Sequence, residues 1–456
     1  MGMKVLLVAS EVAPYAKTGG LGDVLGVLPK ALQAQGVDAR VIFPKYQNSS
    51  FGQLGQVAEF SVSTGFSHKE AKVYQVLEAP GVYTVENYHY FGRDGVYGHH
   101  DDHERFYFFT RAALMFLKHI DFKPDVIHFN DWQTGMGSFY LKEMLESDPF
   151  YEGIKTLFSI HNIQHQGNFD RRILGGIDVS DYYFTPDRIE LYGNVSYMKA
   201  GIVYSDAVST VSEKYAKEIQ TPSYGFGLDG AIGSRKKDLH GIINGIEYTD
   251  IDFMNQPKDR RYLQERVGLP QRDVPVVALI SRLAEQKGID IIAVALEEIL
   301  SHDVQLVVLG TGEGRYEDLF KSYAQRYDNL SVNLYFDTQL SMDIYKHSDM
   351  FLMPSLFEPC GLTQMIAMKY GTVPIVRKTG GLEDTVTHFN PKTGKGNGFS
   401  FEDYDANGLM WGFNAALAAF HQPEAWKQVV ANAFASRFTV EDSAHKYLEL
   451  YEKMKG

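Results

Sequence analysis

The chain has 456 residues, 44% hydrophobic and 22% charged, a folded-protein composition too long for one core. A formal net charge of −13 disfavours nucleic acid and anionic membranes as partners, and it requires any phosphate-bearing ligand to meet cations gathered locally. The single cysteine, Cys360, rules out an intramolecular disulfide and fits a reducing compartment.

In chain order, "KVLLVAS" (4–10) reads as a buried strand with no basic-then-apolar leader before it, so a cytoplasmic protein is expected. No uncharged apolar stretch has the length to span a bilayer. Leu21, Val24, Leu25, Leu28 and Leu32 follow at helical spacing, and Pro29 predicts a kink or two short helices. "DARVIFP" (38–44) is the next strand. Residues 58–91 read as antiparallel strands inserted at a sheet edge, and 104–120 as a helix. "DVIHFND" (125–131), "KTLFSIHN" (155–162) and "DAVSTVS" (206–212) are buried strands, with Asp131, His161 and Asn162 at carboxyl ends, where such sheets bind ligands.

The pattern restarts after "INGIEYTDIDF" (243–253). Five strands are predicted at 274–282, 304–310, 330–337, 349–355 and 372–377, with helices between them. The expected division is 1–245, 246–436 and a C-terminal helix, 437–456, packing back towards the first domain. Two doubly wound domains of this kind present their strand ends to a deep cleft.

Several short stretches could carry chemistry. "KTGGLGDV" (17–24) joins Lys17 and the Gly19–Gly20 turn to a helix start, an anion site or simply a tight turn. "SRLAEQKG" (281–288) places Arg282 and Lys287 in one strand-end loop, suited to a diphosphate or solvated. "LGTGEGRY" (309–316), with Asp337 beyond it, suggests a nucleotide pocket and only weakly a nicotinamide one. In "SLFEPCGLTQ" (355–364), Gly361 is expected to open a helix. Glu358 beside it either caps that helix or accepts hydrogen bonds from sugar hydroxyls. "TGGLED" (379–384) repeats the letters of the first glycine loop. "HHDDH" (99–103) is a divalent-ion site or a solvated loop, and His161 is a base, a sugar contact or a core histidine.

Taken together, "KTGGLGDV", "HNIQHQG", "NGIE", "SRLAEQKG", "PSLFEPCGLTQ" and "KTGGLEDTV" resemble, in this order and over essentially the whole chain, the bacterial glycogen synthases and plant starch synthases. The resemblance implies a GT-B fold, α/β with two Rossmann-like domains facing a deep inter-domain cleft. It implies retaining transfer of glucose from ADP-glucose to the nonreducing end of an α-1,4-glucan, releasing ADP, with no cofactor and no metal. The N-terminus looks more like the bacterial branch than a plastid one. By motif, Lys17, Gly19 and Gly20 approach the donor phosphates, and Arg282 and Lys287 neutralise the diphosphate. Glu358 holds the glucosyl hydroxyls with backbone N–H groups around Cys360, Gly361, Leu362 and Thr363. His161 lies beside the transferred sugar, Asp131 and Asn244 make further contacts, Tyr335 stacks on adenine, and Asp23 is on the acceptor side. Many related transferases carry a second glutamate where this chain has Ile366, which fits the glycogen-synthase branch and leaves ribose recognition unassigned.

Closure about residues 243–253 on donor binding is expected. A UDP-glucose-using synthase, a sugar-nucleotide epimerase, a sucrose-type transferase, an inactive glucan-binding protein and an oxidoreductase are the rivals. The sequence leaves open whether the chain forms homo-oligomers.

Overall fold

The computed structural model describes residues 2–65, 67–249 and 258–456. The chain divides into two compact units, Met1–Gly245 with Val440–Gly456, and Ile246–Thr439. Residues 250–253 of the expected hinge lie outside the described residues.

The strands of the first unit are β1 (Lys4–Val8), β2 (Asp38–Pro44), β3 (Leu54–Thr64), β4 (Ser67–Val76), β5 (Val82–Glu86), β6 (Val126–Asn130), β7 (Lys155–Ile160), β8 (Asn168–Asp170), β9 (Glu190–Leu191), β10 (Asn194–Ser196), β11 (Ala207–Thr210) and β12 (Leu239–Gly241). Nine of them form one sheet in the order β12-β11-β7-β6-β1-β2-β5-β4-β3, while β8, β10 and β9 form a small separate one. The centre of the large sheet is parallel, and its strands are apolar on both faces because helices cover both. The 58–91 insertion lies at the edge: β3–β4 and β4–β5 pair antiparallel, but β5 joins β2 in parallel. Its last predicted strand residues instead form the helix Tyr88–Phe91, capped by Asn87.

The helix Gly20–Ala34 runs unbroken through Pro29, so of the kink or two short helices expected there, the two short helices do not form. Proline removes one bond at a cost of about 3 kcal/mol. Burial of Leu21, Val24, Leu25, Leu28 and Leu32 on the same face, each worth roughly 1.5–3 kcal/mol, outweighs that loss. The C-terminal helix Val440–Lys455 packs on Gly20–Ala34 within this unit. Tyr451 Oη meets His128 Nδ1 at 2.8 Å, and Ser443 Oγ accepts the Gly245 N–H at 2.8 Å and donates to Ile243 O at 2.7 Å.

The second unit holds β13 (Val276–Ile280), β14 (Gln305–Leu309), β15 (Leu330–Asn333), β16 (Met350–Met353), β17 (Val373–Arg377) and β18 (Phe399–Phe401). The sheet is parallel in the order β15-β14-β13-β16-β17-β18. β18 makes it six-stranded where five were expected, because three residues between glycine-rich turns give too short an apolar run to register. The strand order reverses between β13 and β16, the switch point at which doubly wound sheets bind ligands.

Candidate functional site

In the first unit, the chain leaves adjacent strands β1, β6 and β7 at one edge of the sheet. Asp131 follows β6 with φ 58°, an uncommon conformation for a residue with a side chain. It is held there because its Oδ1 accepts the His161 N–H at 2.7 Å and the Asn162 N–H at 3.4 Å. Burial pushes the Asp131 carboxyl up to about 7, despite those two bonds, and the charge of Glu11 adds to the rise. His161 is buried enough to fall to about 4, so its ring is neutral near neutral pH. Its tautomer follows from its neighbours. Asn130 Nδ2 donates to the Val8 and His128 carbonyls, so Asn130 Oδ1 is an acceptor, and His161 Nε2, 2.9 Å away, must donate. That leaves Nδ1 as an acceptor.

The glycine loop after β1 is organised by a residue the motif reading missed. Glu11 is buried, and its carboxylate accepts the Thr18 and Gly19 N–H groups, the Thr18 hydroxyl at 2.7 Å and the Tyr97 hydroxyl. Two of the amides expected to face an external anion are therefore already bound to an internal one. The sequence signal was an acid three residues past β1 in "SEVAP". Gly19 is extended, and a Cβ there would meet nothing within 4 Å. The chain's own packing does not require glycine at that point. Lys17 Nζ pairs with Asp23 Oδ1 at 2.7 Å, with both side chains about two-fifths exposed (45% and 40%), so a ligand can compete for either. Asn244 is buried beyond β12.

In the second unit, the loops after β13 and β16 meet at the switch point. Lys287 Nζ lies 2.6 Å from Glu358 Oε2, and Ser355 Oγ donates to the same oxygen at 3.0 Å. Glu358 is 7% exposed. It does not cap the next helix, which begins at Thr363 rather than Gly361 and has Leu362 at its cap position with no side-chain cap. Gly361 instead forms the left-handed turn before it, at φ 69°. Arg282 is exposed and its side chain has no partner among the described residues. Gln364 Nε2 donates to the Cys360 and Gly361 carbonyls, and Thr363 Oγ1 contacts Met353 Sδ at 3.2 Å. Tyr335, 49% exposed, follows β15 and donates its hydroxyl to Asn333 Oδ1 at 3.2 Å.

Several glycines around these loops serve close backbone packing. A Cβ on Gly380 would stand 1.9 Å from Glu358 O, one on Gly381 2.0 Å from Cys360 O, and one on Gly288 2.1 Å from Pro354 O. Gly381 N–H donates to Glu358 O at 3.1 Å, and Gln286 Nε2 to Phe357 O at 2.6 Å. The second "TGGL" thus braces the Glu358 loop from behind. In "GTGEG", Cβ atoms on Gly310 and Gly312 would strike Ser281 O and Leu283 O, and the loop hydrogen-bonds to Leu283. Those glycines fit one strand-end loop against another, which removes the ground for a nicotinamide reading. Asp337 caps the helix Thr338–His347.

No group of three or more potential ligands that could hold a metal occurs among the described residues. In "HHDDH", Asp101 takes both ends of the Arg93 guanidinium at 2.7 Å, and Asp102 pairs with Arg105 and accepts the Gly98 N–H. No helix among the described residues is long and apolar enough to cross a membrane.

Residues 4–234 match the starch synthase catalytic domain family, and residues 263–432 match glycosyl transferases group 1. A glycogen synthase of Desulforamulus reducens is 46% identical, with 99% of each chain covered. One from Moorella thermoacetica is 45% identical, covering 99% of this chain and 96% of that one. The catalytic domain of starch synthase IV from Arabidopsis thaliana, solved bound to ADP and acarbose, is 32% identical and superposes with a TM-score of 0.90 over 100% of both chains. A sucrose-phosphate synthase of Thermosynechococcus elongatus, 18% identical at a TM-score of 0.65 over 99% of both chains, shares the fold alone. The chain belongs to the glycogen synthase and starch synthase family of GT-B glycosyltransferases.

Proposed function

We propose that this chain builds glycogen by transferring glucose from ADP-glucose, with retention, to the nonreducing end of an α-1,4-glucan. The observation that carries the reading is the Lys287–Glu358–Ser355 cluster at the switch point of the second sheet, in a chain 46% identical to a glycogen synthase. A lone carboxylate would repel a diphosphate. Paired with Lys287, Glu358 is compensated and can accept hydrogen bonds from glucosyl hydroxyls. Backbone N–H groups of the 360–363 turn serve the same sugar, and Tyr335 offers a half-exposed ring to adenine. Arg282 and Lys287 face the leaving diphosphate. Lys17, released from Asp23, is the first unit's cation for the phosphates, with Gly19 and Gly20 permitting close approach. Asp23 then serves the acceptor.

The glucose–phosphate C–O bond breaks as negative charge grows on the departing ADP. Cations already in place stabilise that charge more in the transition state than in the ground state. The acceptor hydroxyl attacks from the same face and passes its proton to the leaving phosphate oxygen. His161 is neutral, with Nε2–H committed to Asn130, and contributes Nδ1 as a fixed acceptor beside the sugar. Asp131 and Asn244 complete the polar lining. Arg282 and Lys287 supply the positive charge a metal would otherwise bring, so no metal or cofactor is required. The single cysteine suits work in the cytoplasm.

The test is a comparison of initial rates with ADP-glucose and UDP-glucose on a short maltooligosaccharide, before and after EDTA. Faster transfer from ADP-glucose, unchanged by EDTA, is expected. Absence of transfer from either donor, or a glucosyl adduct on a side chain during turnover, would contradict the proposal.

A further inference from the structure

The β9–β10 hairpin carries an aromatic residue in a position that disfavours one. Leu191 pairs with Asn194, so the turn is the two residues Tyr192 and Gly193, at φ 48° and 82°. Turns with both central residues at positive φ favour Asn-Gly, and a bulky side chain there is strained. Tyr192 is nevertheless 80% exposed, so burial within the chain does not offset that strain. Strained residues of this kind tend to occur where a ligand is held.

The hairpin around it is stiffly built. Buried Lys199 donates from Nζ to Pro186 O at 2.5 Å and Glu190 O at 2.6 Å, and Glu190 Oε1 accepts the Gly193 N–H at 2.6 Å. A Cβ on Gly227 would stand 2.6 Å from Tyr192 Cε2, so the ring edge rests over bare backbone. The hairpin pairs through β10 with β8 in the segment after His161, and the helix that follows β10 is bonded to the same segment. Tyr197 N–H donates to Gly167 O, Met198 N–H to Gln166 O, and Gln166 Nε2 to Phe226 O at 2.8 Å. Amide side chains of Gln166, Asn168 and Asn194 stand on this same cluster. An uncharged ligand with both hydroxyls and apolar ring faces suits an exposed tyrosine beside amides.

We propose that Tyr192 is a stacking platform for the acceptor α-glucan, engaging glucose units beyond the one that receives the transfer. The assignment rests on the proposed function. It makes Tyr192 a determinant of preference for long acceptors over short ones.

Full-length wild type, Tyr192→Phe and Tyr192→Gly are compared. Glycine fits φ 48° better, so the melting temperature of Tyr192→Gly is expected to equal or exceed that of wild type. The KM for glycogen is expected to rise roughly three- to tenfold at nearly constant kcat, with the KM for maltotriose unchanged. Migration of Tyr192→Gly in native gels containing glycogen is expected to be less retarded, and Tyr192→Phe to behave as wild type. An unchanged glycogen KM and gel migration in Tyr192→Gly overturns the proposal. So does an equal KM rise for maltotriose accompanied by a lower melting temperature, the signature of a merely structural role. The gel reads glucan binding without turnover, so a wild type that binds glycogen but transfers no glucose refutes the proposed function and not the platform.

Discussion

Replacing Asp131 with Asn removes a half-buried charge while keeping the acceptor that organises the β6–β7 edge. Asn Oδ1 can still take the His161 and Asn162 N–H groups, the same two bonds that hold the backbone at φ 58° and ψ 177° with Asp in place. In the wild type, burial raises the folded-state value to about 7, against about 3.9 in an unfolded chain. Below the unfolded value both states carry the proton and the group costs nothing. As pH rises through that interval the unfolded chain ionises first, so folding loses stability until the folded-state value is passed. At ~1.4 kcal/mol per pH unit the full loss is ~4 kcal/mol, of which about 2–3 kcal/mol accrues between pH 5 and 8. Asp131 is only partly shielded from water, which lowers the expected figure to about 1–2 kcal/mol. Asp131→Asn is therefore expected to gain stability over wild type on going from pH 5 to pH 8 by that amount. Trp132 is the one tryptophan of the first unit, so urea melts read by fluorescence with Trp411 and Trp426 changed to Phe report on that unit. A gap between the two proteins that is the same at both pH values would sink the idea that an ionised carboxylate is being held against its preference.

Three further outcomes separate packing from ligand contact. Gly381→Ala drives a Cβ to 2.0 Å from Cys360 O and is expected to lower the melting temperature and abolish transfer, as overpacking of about 1–3 kcal/mol displaces the Glu358 loop. Gly19→Ala meets open space and is expected to melt as wild type, with any kinetic loss confined to the donor KM; circular dichroism melts and initial rates on both variants check the contrast. Arg282→Ala removes a side chain with no partner among the described residues, so an unchanged melt with roughly a hundredfold fall in kcat is expected. A fall in stability of equal weight would assign Arg282 to the fold instead.

The parallel strands were legible because they are apolar on both faces: "KVLLV", "VIHFN" and "QLVVL" leave no other reading at such lengths. β18 was not, since three residues carry no periodicity. The break read as one of two outcomes at Pro29 does not occur, because the buried leucines around it hold one helix together. Of the site, the strand-end positions of Asp131, His161, Arg282 and Glu358 follow from the alternation of strands and helices. Their partners do not. Glu11 lies seven residues from Thr18, Asn130 thirty-one from His161, and Lys287 seventy-one from Glu358. The first pair meets within one loop, and only the sheet brings the other two within hydrogen-bond reach.

The two "TGGL" stretches show how far letters alone mislead. The same four residues stand before a helix in each unit, at Thr18–Leu21 and Thr379–Leu382, and both helices start at a glycine. In the second unit, both glycines are forced by the chain itself, because Glu358 O and Cys360 O occupy the space a Cβ would need. In the first, Gly19 is forced by nothing in the chain, while the adjacent amides are already spent on Glu11. A glycine whose absence of side chain serves no internal contact leaves room on its open side. The half-exposed Lys17–Asp23 pair belongs to the same segment, so the first motif has room for the proposed phosphate contact, whereas the second supports Glu358 from within. Exchanging the two by sequence likeness would therefore move the proposed phosphate contact onto glycines whose open space the chain itself fills.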